Sequence, residues 1–203
     1  MTTRLIVGIS GASGTVYGVR LLEVLKDSPI ETHLVMSDST KRVIELETGF
    51  TVEGIEALAD EVHNNKDVGA PIASGSFKTS GMVVAPCSMK SLSAIANSYN
   101  ENLLVRAADV VLKENRRLVL VARETPLHLG HLRLMSRVVE MGGVMLPPMP
   151  SFYHRPETLD DIINQTVGKV LDQFDIDHRM FARWEGTTVR RRTLESERAH
   201  QGG

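Results

Sequence analysis

Short apolar runs alternate with longer amphipathic stretches along most of this chain of 203 residues. The short runs are rich in β-branched residues, which is typical of buried strands. They predict strands at about residues 4–9, 31–36, 82–85, 117–122 and 143–146. The stretches between them repeat apolar side chains at helical spacing and predict helices at residues 15–26, 52–64, 88–97, 102–114, 126–141 and 157–174.

This alternation is the sequence signature of stacked βαβ units. It predicts an α/β fold: a single-domain, doubly wound (Rossmann-like, flavodoxin-like) parallel sheet with helices on both faces. Residues 1–185 would form this domain. The apolar periodicity stops after Trp184, so residues 186–203 are expected to be a polar tail that is disordered or contacts other subunits. Residues 65–80 are rich in glycine and serine and predict a long loop of the kind that often forms a functional lid.

Composition narrows the class of protein. The net charge of −2 argues against a nucleic-acid-binding surface, which would need a basic excess. Cys87 is the single cysteine, so no intrachain disulfide can form and a reducing, cytoplasmic location is expected. No apolar run approaches the ~20 residues that span a bilayer, so no membrane association is expected.

The segment Gly8-Ile-Ser-Gly-Ala-Ser-Gly14 lies between the first predicted strand and the first predicted helix. Small residues let the backbone approach a ligand, and helix N-terminal amides bind phosphate. The dinucleotide pattern G-x-G-x-x-G fails because Ser10 occupies the place of its second glycine, and P-loop and G-x-S-x-G patterns fail too. A mononucleotide phosphate site is therefore favoured over a merely tight turn.

A second turn, residues 86–91, follows the third predicted strand, and the two turns could hold a flat cofactor between them. In this turn Cys87 is interpreted as a small apolar filler in preference to a nucleophile. His128 and His131 have a spacing that metal sites use, but zinc needs further ligands, so packing or hydrogen bonding is favoured and no metal is expected. Tyr153 and Arg155 either bind a phosphate oxygen or form a turn capped by its own aromatic ring.

The apolar run that ends at residue 122 is followed at once by Arg123 and Glu124. Ligands of open parallel sheets bind at the carboxyl ends of the strands. A fixed cation beside a titratable acid at that point indicates chemistry on an anionic substrate.

Several ordered motifs together resemble the UbiX/Pad-type flavin prenyltransferase family. They are residues 8–14, 106–114, 123–135 and 152–156, the last followed by Asp160-Asp161, and the similarity extends from residue 4 to residue 184. The resemblance implies a homo-oligomer, typically a dodecamer, that joins a dimethylallyl group from dimethylallyl monophosphate to N5 and C6 of reduced FMN. The prenylated FMN would serve a UbiD-type decarboxylase, in either ubiquinone biosynthesis or aromatic acid breakdown.

The same resemblance implies the roles of individual residues. The expected FMN contacts are Gly11, Ala12, Ser13, Ser37, Ser88, Met89, Lys90, Ser91 and Arg123. The expected contacts of dimethylallyl phosphate are Lys113, Arg123, Glu124, Tyr153 and Lys169. The catalytic groups would be Glu47, Glu124, Ser13, Lys113 and Arg123. The chain departs from the family pattern at Lys169, where arginine is more frequent, and at Ala122, where the family has a bulkier residue or proline.

These residue types suit the implied reaction. Breaking an allylic carbon–oxygen bond builds negative charge on the leaving phosphate, which preplaced cations stabilise. Glu124 could protonate the leaving oxygen if a desolvated site keeps it protonated. Glu47, or Glu124 once ionised, could then remove the C6 proton, and Ser13 could relay protons near N5.

Two other functions remain open from the sequence. A flavin-dependent cysteine decarboxylase would share the fold, but it relies on an asparagine-containing motif where this chain has Cys87-Ser-Met-Lys-Ser. A non-catalytic FMN carrier subunit of a decarboxylase would have no reason to hold Glu47, Lys113, Glu124 and Lys169 together.

Overall fold

The computed structural model of the protein describes residues 3–184 and Gly186, so the rest of the predicted polar tail lies outside the described residues. Within them, six parallel strands form one sheet in the order β3-β2-β1-β4-β5-β6. The strands are β1 (Thr3–Ile9), β2 (Ile30–Met36), β3 (Glu61–His63), β4 (Gly81–Cys87), β5 (Arg117–Ala122) and β6 (Val144–Met145). The predicted doubly wound fold is confirmed.

Helices cover both faces of this sheet. They are α1 (Thr15–Lys26), α2 (Asp38–Glu47), α3 (Val52–Glu56), α4 (Met89–Ala96), α5 (Leu103–Lys113), α6 (Leu129–Glu140) and α7 (Leu159–Asp172). One apolar layer packs side chains of α1, α2, α3 and α7 against the sheet, and the other packs those of α4, α5 and α6. No helix in residues 3–184 combines the length and the apolar character that crossing a membrane requires.

The strand order fixes where a ligand can bind. The chain passes from β1 into α1 on one face and from β4 into α4 on the other, while β1 and β4 are neighbours. Their carboxyl ends therefore diverge and leave a crevice at this switch point, the usual ligand site of doubly wound sheets. The β1–α1 turn and the β4–α4 turn, both singled out from the sequence, form its walls.

Around the edge strand one predicted helix was wrong and another helix was missed. The predicted helix over residues 52–64 is only the short α3 followed by β3, and α2 was not predicted at all. Asp60 explains the early end of the helix: its carboxylate accepts hydrogen bonds from the backbone N–H and the hydroxyl of Thr32, at 2.7 and 2.8 Å. These bonds start β3 beside β2, which is a tertiary effect that local periodicity does not register.

The segment of residues 65–80 is anchored and does not have the character of a free lid. Ile72 is fully buried in a short 3₁₀ turn, Pro71–Ala73. Arg116 donates hydrogen bonds to the carbonyl oxygens of Phe77 and Gly75, at 2.8 and 2.6 Å. The segment is thereby held to α5 and β5 along its middle, and only its beginning reaches the ligand crevice.

Candidate functional site

A cavity of about 740 Å³ opens at the carboxyl edge of the sheet, between the β1–α1 and β4–α4 turns. This volume lies in the range of small-molecule and cofactor pockets. All of the residues expected to contact FMN line it: Gly11, Ala12, Ser13, Ser37, Ser88, Met89, Lys90, Ser91 and Arg123. Glu124 lines it as well, so the structure brings one complete subset of the predicted site together.

Ser10 joins the two turns that form the cavity walls. Ser10 is fully buried, and its hydroxyl donates to the carbonyl oxygen of Pro86 at 3.0 Å. Ser10 Oγ also accepts a hydrogen bond from the backbone N–H of Ser88, at 2.8 Å. Its backbone N–H also donates to Pro86 O, at 3.1 Å. A glycine at this position could not make the side-chain bonds, which explains why the dinucleotide pattern is broken here.

Replacing Ser10 by alanine is expected to weaken FMN binding about tenfold, because both hydrogen bonds that set the spacing of the turns are lost. The dissociation constant is measured from the quenching of flavin fluorescence. Ser28→Ala is the matched control, because Ser28 Oγ bonds Leu25 O just after α1 ends, away from the cavity. An S10A protein that binds FMN as tightly as the S28A protein would contradict a spacing role.

The N-termini of α1, α2 and α4 all face this cavity. Helix N-terminal amides carry partial positive charge and bind anions such as phosphate. The unpredicted α2 adds Ser37 and Ser39, whose hydroxyls lie 3.0 Å apart. Gly11 packs so closely against α2 that a Cβ atom there would lie 2.2 Å from Ser39 Oγ. The glycine is therefore required for this turn to meet the second helix.

Arg123 and Glu124, two of the proposed reacting groups, line the cavity, and Glu47 lies beside it. Arg123 follows β5, where its backbone N–H donates to Cys87 O at 3.1 Å, and its side chain is exposed. Glu124 is also exposed, and its Oε1 accepts from the N–H of Thr125 at 2.9 Å. Glu47 lies at the end of α2, where its carboxylate accepts from the N–H of Gly14 at 2.8 Å. Glu47 is thereby hydrogen-bonded to the residue that follows Ser13.

Sequence reasoning missed the residues that close the cavity on the β3 side. Asn65 and Lys66 follow β3, and Lys66 forms an ion pair with Asp38 at 3.7 Å. On the other side Lys90 pairs with Glu101 at 3.2 Å. No local motif marks Asn65, Lys66 or Glu101. They line the cavity because β3 and the start of α5 bring them there, and the positions of these two elements depend on tertiary packing.

Three expected contacts of the allylic phosphate do not line this cavity. Lys113 lies at the last residue of α5, while Val105 near the start of that helix lines the cavity. The two are separated by roughly 12 Å along the axis, at about 1.5 Å per residue. Lys113 is paired there with Glu114, and the Lys113 hydrogen bond lowers the pKa of the Glu114 carboxyl.

Tyr153 and Lys169 also lie outside the cavity of their own chain. The Tyr153 ring packs edge-on against Trp184, 5.7 Å between centroids, and the neighbouring Arg183 binds Asp172 at 2.7 Å. Lys169 binds the same carboxylate, at 3.3 Å. Burial disfavours ionisation of Asp172, but hydrogen bonds from Arg183, His178 and Lys169 outweigh it and lower its pKa.

Two interpretations made from the sequence are confirmed by the geometry. Cys87 is fully buried, and burial raises the pKa of its thiol to about 12, so it is a poor nucleophile. His128 caps α6: its Nδ1 accepts from the N–H groups of Gly130 and His131, at 3.0 and 3.4 Å. The predicted start of this helix at Pro126 was wrong, because the helix begins at Leu129, directly after the His128 cap.

The comparisons with known proteins agree with this site. The Flavoprotein family model matches residues 1–170. Flavin prenyltransferase UbiX of Thauera aromatica is 63% identical over 187 residues, which cover 92% of this chain and 96% of the relative. The chain belongs to the UbiX family of flavin prenyltransferases.

Solved structures of the UbiX family share its architecture. A dodecameric FMN-dependent UbiX-like decarboxylase from Escherichia coli O157:H7 is 53% identical, with a TM-score of 0.89, and covers 91% of this chain and 100% of its own. AnUbiX (PadA1), in complex with FMN and dimethylallyl pyrophosphate, is 48% identical with a TM-score of 0.90, covering 92% of this chain and 100% of its own. The family resemblance and the fold class expected from the sequence are both confirmed.

Proposed function

We propose that this chain transfers a dimethylallyl group from dimethylallyl monophosphate to N5 and C6 of reduced FMN. The observation that carries this proposal is the cavity at the switch point, where a mononucleotide-sized space is lined by Ser13, Arg123 and Glu124, with Glu47 bonded beside it. A non-catalytic FMN carrier would need the cavity but not these acids.

The cavity fits FMN by size and by the chemistry of its donors. The small residues of the β1–α1 turn let a flat ring approach the backbone, and the N-termini of α1, α2 and α4 suit the FMN phosphate. Ser37 and Ser39 add hydroxyl donors at the start of α2. Reduced FMN, when bound, supplies the electron-rich N5 and C6 atoms that accept the prenyl group.

Arg123 is the group of this cavity that can stabilise the leaving phosphate. Within residues 3–184 its guanidinium takes part in no ion pair, and its charge is therefore available to an anion. Arg123 lies close enough to Tyr17 to affect its phenol. Burial raises the pKa of Tyr17, and the positive charge of Arg123 opposes that rise. A fixed cation that meets charge developing in the transition state lowers the barrier.

The remaining cations are proposed to come from other copies of the chain. Lys113, Tyr153 and Lys169 do not line their own chain's cavity, so a site that contains them together with Arg123 must be composite. All three side chains are accessible to a neighbouring subunit: Tyr153 is exposed, and Lys113 and Lys169 are about half exposed in ion pairs with Glu114 and Asp172. A homo-oligomer is therefore part of the proposed function.

Helix α6 provides the surface for this assembly. Val138 is the one residue of its 12 that is buried within the described part of the chain. Its apolar side chains and those beside it remain exposed: Leu127 by 38%, Leu129 by 60%, Leu132 by 48% and Val139 by 54%. A contiguous apolar surface of this kind marks an interface. Because only residues 125–128 separate Glu124 from the start of α6, another copy seated there would also remove water from the Glu124 carboxyl.

Removal of water from the Glu124 carboxyl favours its protonated form, which the proposed proton transfer requires. In such a site Glu124 can hold the proton that the leaving oxygen takes up. Glu47, which accepts a hydrogen bond from the Gly14 N–H beside the cavity, would accept the proton that C6 loses, and Ser13, which precedes Gly14 and lines the cavity, would relay it.

The experiment combines purified protein, FMN, dithionite and dimethylallyl monophosphate under anaerobic conditions. Mass spectrometry is expected to find a flavin heavier by one prenyl unit, and a parallel reaction with dimethylallyl diphosphate identifies the preferred donor. Recovery of unchanged FMN with both donors, although they bind, would leave the carrier function. Oxidative decarboxylation of a peptide with a C-terminal cysteine would instead favour the cysteine decarboxylase.

We propose that the product serves a UbiD-type decarboxylase, as the family resemblance implies. The single, buried Cys87 suits a reducing compartment, and we place the reaction in the cytoplasm.

A further inference from the structure

A chain of partly buried polar side chains runs beside the FMN cavity. His33 on β2 is only 3% exposed, and its Nδ1 lies 2.9 Å from Nε2 of His63, the last residue of β3. Its Nε2 lies 3.0 Å from Glu31 Oε1, and Arg4 Nε donates to the same carboxylate at 3.1 Å. The Phe77 ring packs edge-on against His33 and covers the pair. Neither imidazole lines the FMN cavity or has a part in the chemistry above.

The His33–His63 contact fixes the end of a weakly held strand. β3 has three residues, lies at the edge of the sheet and pairs only with β2. Its start is held by Asp60 and Thr32, and its end by the imidazole pair. A short edge strand makes few ladder hydrogen bonds, so a side-chain bond is a large share of what holds it.

The residues after His63 build the cavity rim. Asn65 lines the cavity, its backbone oxygen accepts from the N–H of Leu103 at 2.8 Å, and its Oδ1 accepts from the N–H of Leu104 at 3.0 Å. Asn65 thus caps α5, whose preceding residue Asn102 also lines the cavity. Movement of His63 would shift Asn65 and with it this side of the site.

We propose that His33 and His63 are positioning residues for FMN binding: their hydrogen bond holds the end of β3, and through Asn65 the rim of the FMN cavity. The proposal rests on the FMN site described above, and concerns FMN binding alone, independent of prenyl transfer.

The number of protons on His33 and His63 decides whether their hydrogen bond can form. When both rings are neutral, His33 donates from Nε2 to Glu31 and accepts at Nδ1 from His63. One added proton on the pair still leaves a single N–H···N bond between the two rings. A second proton places hydrogen atoms on both facing nitrogens and breaks the bond. The rim should therefore loosen only when the pair becomes doubly protonated.

The surroundings of His63 place this change below the ordinary histidine pKa of about 6.5. Burial lowers the pKa of His63, and the charge of His33 lowers it further, while Glu61 and Asp67 oppose both. Because the folded-state pKa is lowered, the bond is intact above the ordinary histidine pKa of about 6.5 and is lost as the pH falls through the lowered value. The other charged groups facing the pair are Arg4, Glu31 and Asp60 around His33, and Asp38, Lys41 and Glu56 around a small cleft lined by His63.

The test is the pH dependence of FMN affinity in the full-length protein, from about pH 8 to about pH 5, measured by flavin fluorescence quenching. In the unmodified protein the dissociation constant is expected to rise about fivefold or more on acidification, the low end of typical coupling between sites. His63→Gln keeps a donor and an acceptor at this place but cannot titrate, so its affinity should match the unmodified protein at high pH and lose the extra acid dependence. The FMN phosphate itself titrates near pH 6, with a pKa of about 6, and contributes equally to both proteins.

His178→Gln is the matched control, because His178 is a buried imidazole beside a carboxylate, Asp172, on the other face of the sheet. It should keep the acid dependence of the unmodified protein. His63→Ala, which loses the bond at every pH, should bind FMN several-fold more weakly already at high pH; circular dichroism establishes that it is folded. Identical pH profiles for the unmodified and H63Q proteins would overturn the proposal. Failure of every protein to bind FMN would instead refute the proposed function.

Discussion

Replacing Glu124 by glutamine is expected to slow prenyl transfer by about 10²- to 10³-fold, the usual contribution of a general acid, while FMN affinity stays within about twofold. Glutamine has the shape of glutamate, and its amide oxygen can still accept the Thr125 N–H bond that orients the side chain. It cannot give a proton to the leaving phosphate oxygen. The rate is measured in a single-turnover reaction with saturating reduced FMN and dimethylallyl monophosphate.

Glu53→Gln is the matched control for this substitution. Glu53 lies on the exposed side of α3, away from the cavity, and its replacement should leave the single-turnover rate unchanged. If the E124Q protein transferred the prenyl group as fast as the E53Q protein, Glu124 would have no acid role. If its FMN affinity fell in parallel with the rate, the carboxylate would act in binding and not in the chemical step.

The sequence predicted the central part of the fold because its signals there are local. The helix at residues 15–26 and the strand at residues 117–122 have the predicted bounds, since each carries its own periodicity and its own turn. β3 could not be predicted in this way. Its pairing depends on Thr32 and Asp60, which are far apart in sequence. With the predicted strands alone the order would be 2-1-3-4-5, as in flavodoxin-like sheets, and β3 extends it to 3-2-1-4-5-6.

The candidate site likewise has a part that local sequence signals predict and a part that depends on tertiary or subunit contacts. The FMN-facing residues follow strands directly, so the ends of β1, β2, β4 and β5 bring them to one edge. Lys113, Tyr153 and Lys169 were assigned by resemblance, and a single chain does not unite them with Arg123. In the proposed composite site their use depends on neighbouring subunits, which neither periodicity nor spacing within one chain can specify. Asn65 and Lys66 were missed because only the tertiary position of β3 brings them to the cavity.

Mixed oligomers offer a direct test of the composite site. Lys113→Met removes the cation from the end of α5 but leaves the cavity of its own chain intact, whereas Glu124→Gln alters the cavity and leaves Lys113. Each variant alone is expected to lose about 10²-fold or more in rate, through lost charge stabilisation or lost acid catalysis. Neither protein then has an intact site anywhere in its assembly.

When the two variants are dissociated and reassembled together at equal concentration, activity is expected to return. An intact site forms wherever the cavity of a K113M chain meets Lys113 of an E124Q chain, which random mixing gives at about one site in four across a heterologous interface. If Lys113 and Glu124 acted within the same chain, no arrangement of the two would restore a site. The control mixture is Glu124→Gln with Arg123→Met: both residues line the same chain's cavity, so no reassembled site contains both intact side chains. Recovery in the first mixture and its absence in the second would assign Lys113 to the site of a neighbouring subunit, and equal inactivity in both would place Lys113 and Glu124 in the site of the same chain.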